Sequence, residues 1–186
     1  MISDRANEEL LKEQLLGLIP RLRRFARSLT GDPDKADDLV QSACERALNR
    51  LDHVRAGSYF DSWMYRIVYT RWIDRLRRRK TRNTHLSVLR NENDPPAPNP
   101  REASKLVAAM DVRRALSALP EERHAALLLI CVEGYSYAEA ASILNVPAGT
   151  VASRVARARE ALGRLLYSDR KENTRSVPVD AREGEK

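Results

Sequence analysis

The sequence predicts an all-α fold: two small helical domains joined by a flexible linker. Three observations carry that expectation. Ala, Leu, Arg and Glu dominate the chain, all good helix formers. By contrast the 186 residues include only ten aromatics (six Tyr, two Phe, two Trp) and seven glycines, thin for a β-sandwich or a glycine-loop nucleotide enzyme. Apolar residues recur at helical spacing nearly everywhere. Composition breaks once, at Asn91-Glu92-Asn93-Asp94-Pro95-Pro96-Ala97-Pro98-Asn99-Pro100, where four prolines fall within six residues and little could form a core. The expected division is a domain over 1–80, a linker over 81–104, a domain over 105–168 and a disordered tail over 169–186.

In the first domain, Leu10, Leu11, Gln14, Leu15, Leu18, Leu22, Phe25, Ala26 and Leu29 form one long amphipathic stripe. Pro20 is expected to kink or split it. Thr30-Gly31-Asp32-Pro33 supplies a stop and a new start: glycine to terminate, aspartate as N-cap, proline at the first helical position. Ala36, Val40, Ala43, Ala47 and Leu51 then mark a second buried face, leaving Asp37, Asp38, Gln41 and Glu45 wet. His53 to Ser58 reads as a loop. A third helix follows, with Tyr59, Phe60, Trp63, Ile67 and Ile73 among its larger apolar residues, and it ends in seven cations within the twelve residues from Arg71 to Arg82.

The second domain opens with a helix through Leu106, Val107, Met110, Val112 and Leu116. Leu119-Pro120-Glu121-Glu122 starts another, whose apolar face takes Ala125, Leu128, Leu129 and Val132. Ser136 with Glu139 three residues later is a capping box opening a short helix. Asn145-Val146-Pro147 closes that helix in a tight turn, and Ala148-Gly149-Thr150-Val151 opens the next. Short helix, turn and longer basic helix make a helix-turn-helix.

Charge and composition exclude several function classes. Apolar residues make up 42% and charged residues 32%, and Lys plus Arg exceed Asp plus Glu by 33 to 26, a surplus of +7 that points to a polyanion such as nucleic acid. The longest apolar run, Ala125 to Val132, has eight residues, against about 20 needed to cross a bilayer. Asp4, Glu8 and Glu9 argue against a secretory signal. Cys44 and Cys131 stand apart with no CxxC, so they read as small buried hydrophobes in a reducing cytoplasm. His53, His85 and His124 are isolated, and no phosphate-loop, dinucleotide or zinc motif occurs. No enzyme, metal or cofactor is expected.

Two constellations carry the binding chemistry. In the last helix Val151, Val155, Ala158, Leu162 and Leu165 point inward. About 100° of rotation per residue then puts Ser153, Ala156 and Arg157 outside, with Ala152, Arg154 and Arg159 flanking and Thr150 at the start. Arginine pairs with guanine, serine donates or accepts, and alanine permits close approach in the major groove. The alternative is an ordinary solvated helix; the capped helix and turn before it favour DNA. Likewise the seven cations Arg71, Arg75, Arg77, Arg78, Arg79, Lys80 and Arg82 exceed what a helix C-terminus needs and suit phosphates. Tyr59, Tyr65, Tyr69 and Trp72 lie beside them, and aromatics among cations can hold unstacked bases, although core packing is an equal reading for each.

In order and spacing the sequence resembles the extracytoplasmic-function sigma factors. The matching segments in the first domain are Asp38-Leu39-Val40-Gln41, Ala43-Cys44-Glu45-Arg46-Ala47, and Phe60-Asp61-Ser62-Trp63-Met64-Tyr65-Arg66-Ile67 leading to Ile73-Asp74-Arg75-Leu76-Arg77-Arg78-Arg79. In the second they are Leu119-Pro120-Glu121-Glu122-Arg123, Glu133-Gly134-Tyr135-Ser136-Tyr137-Ala138-Glu139-Ala140-Ala141, and Val146-Pro147-Ala148-Gly149-Thr150-Val151-Ala152-Ser153-Arg154. The opening helix, Leu18 to Arg27, is similar to that of alphaproteobacterial members, including those of the general stress response.

The resemblance implies a cytoplasmic, non-enzymatic initiation factor that recruits core RNA polymerase to promoters and is held inactive by an anti-sigma factor. Region 2 would place Asp37, Asp38, Gln41 and Glu45 against the β′ clamp helices. It would take a flipped base at the loop carrying Arg55 and Ser58, and hold the single strand of the −10 element with Tyr69, Arg71, Arg75, Arg78 and Arg79. Region 4 would read the duplex −35 element through Thr150, Ala152, Ser153, Arg154, Ala156, Arg157 and Arg159, and meet the β flap. The chain departs from the family at Thr70 and Trp72, where asparagine and a small residue are common, and at Ala152, where a longer side chain is usual. A dimeric repressor using the same motif would bind palindromic duplex without polymerase. An adaptor that only sequesters an anti-sigma factor would lack the basic helix or a competent recognition helix.

Overall fold

The computed structural model describes residues 2–51, Val54, 59–83 and 112–175, and all the regular structure among them is helical. In chain order the helices are α1 (Ile2–Thr30), α2 (Pro33–Leu48), α3 (Phe60–Asn83), α4 (112–117), α5 (Glu121–Cys131), α6 (Tyr137–Leu144) and α7 (Ala148–Arg175). Arg55, Ser58, Leu106, Met110, most of the expected linker and the end of the expected tail lie outside the described residues.

The punctuation between α1 and α2 is as the residue types demand. Gly31 takes φ +68° and donates its N–H to the Arg27 carbonyl at 2.9 Å, a helix stop suited to glycine. The Asp32 carboxylate then accepts from the N–H groups of Asp34 and Lys35 at 3.0 and 3.1 Å, with Pro33 opening α2. Leu11, Leu15, Leu18, Leu22, Phe25, Ala26 and Leu29 are buried, as the stripe predicts, while Leu10 faces out. Burying each leucine or phenylalanine is worth about 1.5–3 kcal/mol, against about 1 kcal/mol for a cap, so the stripe rather than the caps sets the helix orientation. Pro20 does not split α1. It lies on the exposed side, where water can satisfy the carbonyl that its missing N–H leaves free.

In the second domain α5 is buried on every side from His124 to Leu129. The capping box forms: Ser136 Oγ accepts from the Glu139 N–H at 3.3 Å, and a Glu139 carboxylate oxygen accepts from the Ser136 N–H at 2.8 Å. Asn145 ends α6 in the left-handed region at φ +55°, a conformation asparagine tolerates better than most residues.

Four features depart from the sequence reading. Cys131 and Val132, expected inside, are exposed, being the last residue and the C-cap of α5; Cys44 is half-buried. Leu165 is also exposed. Helix α3 extends to Asn83 and α7 to Arg175, past the expected domain edges at 80 and 168, and neither extension contains proline or glycine. Most consequentially, the two domains are not merely tethered. One continuous hydrophobic cluster runs from Leu11 to Ala158, with α6 packed along α3 and α5 against α1. Tyr65 meets Glu133 and Tyr135 of the second domain, and Trp72 lines a cleft with Leu116 and His124 of that domain.

Candidate nucleic-acid interface

The helix-turn-helix presents the surface its spacing implies. Val151, Val155 and Ala158 are buried at 0–1% exposure, which forces Ala152, Ser153, Ala156, Arg157 and Arg159 into solvent. Thr150 is half-buried at the helix start, and its carbonyl accepts from Ser153 Oγ at 2.9 Å. Ser153 can still accept through its oxygen. Arg159 donates to the Cys131 sulfur at 3.3 Å, so it is tied to α5 at the far end of the face. Arg154 is set apart from the others: it turns back toward Glu122 on α5, Nη2 to carboxylate 3.7 Å, with the side chain only 20% exposed.

The basic helix sorts into two kinds of residue. Arg78 and Arg79 are exposed. Arg75 instead donates to the backbone carbonyls of Lys35 and Asp38 at 3.3 and 3.0 Å and so ties α3 to α2. Together with Lys35, these three arginines border a cleft of about 310 Å³. Lys35 belongs to this positive surface, yet no linear spacing links it to the cluster. Arg71 is half-buried. Tyr69 is buried, and burial is the main cause that pushes its hydroxyl pKa up, opposed by the Arg154 guanidinium nearby. In this arrangement Tyr69 cannot stack on a base.

Along α2, Asp38, Gln41 and Glu45 line one exposed stripe, with Gln41 Nε2 donating to Glu45 at 3.1 Å. Asp37 turns away from it and pairs with Arg23 at 3.2 Å and Arg27 at 3.9 Å on α1. Among the described residues no group of three or more His, Cys, Asp or Glu could hold a metal ion, and no helix is long and apolar enough to cross a membrane.

Sequence reasoning passed over Arg21 and Glu133. Their side chains meet between the domains, Nε to carboxylate 3.5 Å, with Glu133 only 2% exposed. A carboxylate in a loop beside a glycine carries no signal of burial, because its cover comes from the other domain.

Comparison with known proteins agrees with this geometry. Residues 17–82 match the Sigma-70 region 2 family and residues 109–162 match Sigma-70 region 4. The chain is 36% identical over 161 residues to the ECF RNA polymerase sigma factor EcfG of Rhodopseudomonas palustris, covering 86% of each protein. Among solved structures it is similar to the sigma factor RpoE in complex with the anti-sigma factor NepR from Bartonella quintana. That match has a TM-score of 0.72 and 34% identity, over 85% of this chain and 97% of the other. A second is the structure of CnrH in complex with the cytosolic domain of CnrY, with a TM-score of 0.62 and 26% identity, over 88% and 99%. With both regions in order around one helical core, the chain belongs to the ECF RNA polymerase sigma factors, which are non-enzymatic transcription initiation factors.

Proposed function

We propose that residues 1–80 act as region 2 and residues 105–168 as region 4 of a cytoplasmic promoter-recognition factor that works on core RNA polymerase. Region 4 reads the −35 duplex with Ser153, Ala156 and Arg157, flanked by Thr150, Ala152, Arg154 and Arg159. Region 2 holds the opened −10 strand with Arg55, Ser58, Arg71, Arg78 and Arg79, joined by Tyr69 and Arg75 once they leave their present contacts, and docks on the β′ clamp helices through Asp38, Gln41 and Glu45, with Asp37 behind them. The β flap meets region 4. The observation that carries the reading is the solvent-facing Ser153–Ala156–Arg157 surface of α7, built on a helix-turn-helix whose cap and turn are both formed. Strand opening needs no catalytic group, because holding unstacked bases and phosphates offsets a cost of a few kcal/mol per flipped base.

An anti-sigma factor as inhibitor is supported by the similar structure of the sigma factor RpoE, solved in complex with the anti-sigma factor NepR. The test is in vitro transcription with sigma-free core enzyme and a promoter library. We expect start-site-specific RNA only when this protein is added. Absence of such RNA from an inhibitor-free mixture overturns the reading. A palindromic duplex bound tightly without polymerase would support a dimeric repressor instead.

A further inference from the structure

The contact between the two domains is polar and aromatic at its centre. Tyr65 on α3 is fully buried, and its hydroxyl donates to Glu133 of the second domain at 2.5 Å. Arg21 on α1 approaches the same carboxylate at 3.5 Å and lies over the Tyr65 ring at 5.8 Å. The Tyr135 ring meets Tyr65 edge-on at 5.2 Å, and the Phe25 ring of α1 meets it edge-on at 5.1 Å. At the rim Arg66 reaches Asn145 at 3.4 Å, which fixes the end of α6 on α3. Every side-chain partner of the Glu133 carboxylate named here comes from the other domain. A carboxylate this deeply buried costs several kcal/mol unless it is paired. Here the pairing replaces the water that Glu133 would regain on opening.

Such an exchange contributes little net stability but fixes one geometry strongly. Those are the properties of a reversible catch. The need to open follows from length. Elements named −10 and −35 lie about 25 base pairs apart, which at about 3.4 Å each is roughly 85 Å of duplex, whereas α3 and α6 touch in the closed molecule. Tyr69, on the basic helix, is buried within electrostatic reach of Arg154, on the recognition helix.

We propose that Glu133, held between Tyr65 and Arg21, latches this chain in a closed resting state that must open before both promoter elements can be engaged. The inference rests on the reading of α3 and α7 as the two DNA-reading helices. The latch is intrinsic to the chain and needs no inhibitor.

The test uses the full chain in a Trp63→Phe background, so that Trp72, buried at 4% exposure next to the second domain, reports opening by acrylamide quenching. Tyr65→Phe and Glu133→Gln are made singly and together. Arg21→Gln serves as the route from the other side should a Glu133 variant fail to fold. The expected result is a larger radius of gyration by small-angle X-ray scattering and a more quenchable Trp72. Affinity for core RNA polymerase should rise by about threefold or more, since apparent affinity scales with the competent fraction. Unchanged scattering and quenching in folded variants overturns the latch, and so does a looser molecule with unaltered polymerase affinity. Should neither wild type nor variants bind polymerase, the functional reading fails, and scattering and quenching alone decide whether the latch exists.

Discussion

Arginine is the most informative residue type in this chain, because identical side chains are put to different uses. Arg75 is committed to two backbone carbonyls and Arg154 folds back onto Glu122, while Arg157 is unencumbered on the outer face of α7. Spacing along the helix separates Arg157 from the buried face, but it does not separate Arg75 from Arg78. That distinction depends on where the first turns of α2 lie. Replacing Arg157 with alanine is expected to weaken binding to the cognate −35 duplex by about 1–3 kcal/mol, as for a residue pairing with a base edge. Fluorescence anisotropy against cognate and scrambled duplexes checks it. Equal losses on both would make Arg157 a phosphate contact and remove it from base readout.

The helices themselves were largely legible from residue pattern. The Gly31-Asp32-Pro33 junction and the Ser136/Glu139 box are local devices whose partners sit within four residues, so the sequence contains everything needed to read them. Ser136→Ala should therefore cost about 1 kcal/mol of stability, seen as a lower urea midpoint with an unchanged slope. A loss below about 0.3 kcal/mol would show that packing alone holds α6. On α2 the side chains of the exposed stripe Asp38, Gln41 and Glu45 make one hydrogen bond among the described residues, between Gln41 and Glu45. Asp38→Lys is expected to leave helicity by circular dichroism intact and to lower affinity for core polymerase at least about tenfold, the effect of some 1.4 kcal/mol. Undiminished pull-down would take this stripe out of the interface. Less legible was the N-terminal extent of α1, which starts at Ile2, well before the first apolar residue of its stripe, Leu10.

Across the whole molecule the closure of one domain on the other introduces a titratable group into the shared core. His124 is buried at 5% exposure, lines the cleft between the domains with Trp72 and Leu116, and its Nε2 has no hydrogen-bond partner among the described residues. Burial lowers its pKa from 6.5 to about 4. The unfolded chain therefore binds a proton that the folded chain refuses between those two values. Stability is full above pH 6.5 and is lost as pH falls toward 4. From pH 7.5 to pH 5 this residue should remove about 2 kcal/mol. Urea unfolding at both pH values should show a smaller drop in His124→Leu than in wild type, whatever the variant's absolute stability. Equal drops would mean that His124 is hydrated in the folded state.

The amino-acid order alone determined the helix inventory, the inward faces of α1, α2 and most of α7, the helix-turn-helix and its outward residues. Those depend on period, capping and turn chemistry acting over a few positions. Tertiary structure decided what Tyr65, Tyr69, Trp72, Glu133, His124 and Cys131 do. Each of their environments is set by a helix distant in the chain, and α3 and α5 carry apolar residues on so many sides that periodicity does not say which neighbour covers which. It also decided that the two domains close on one another around a buried carboxylate, an outcome of packing between surfaces that neither domain's sequence specifies by itself.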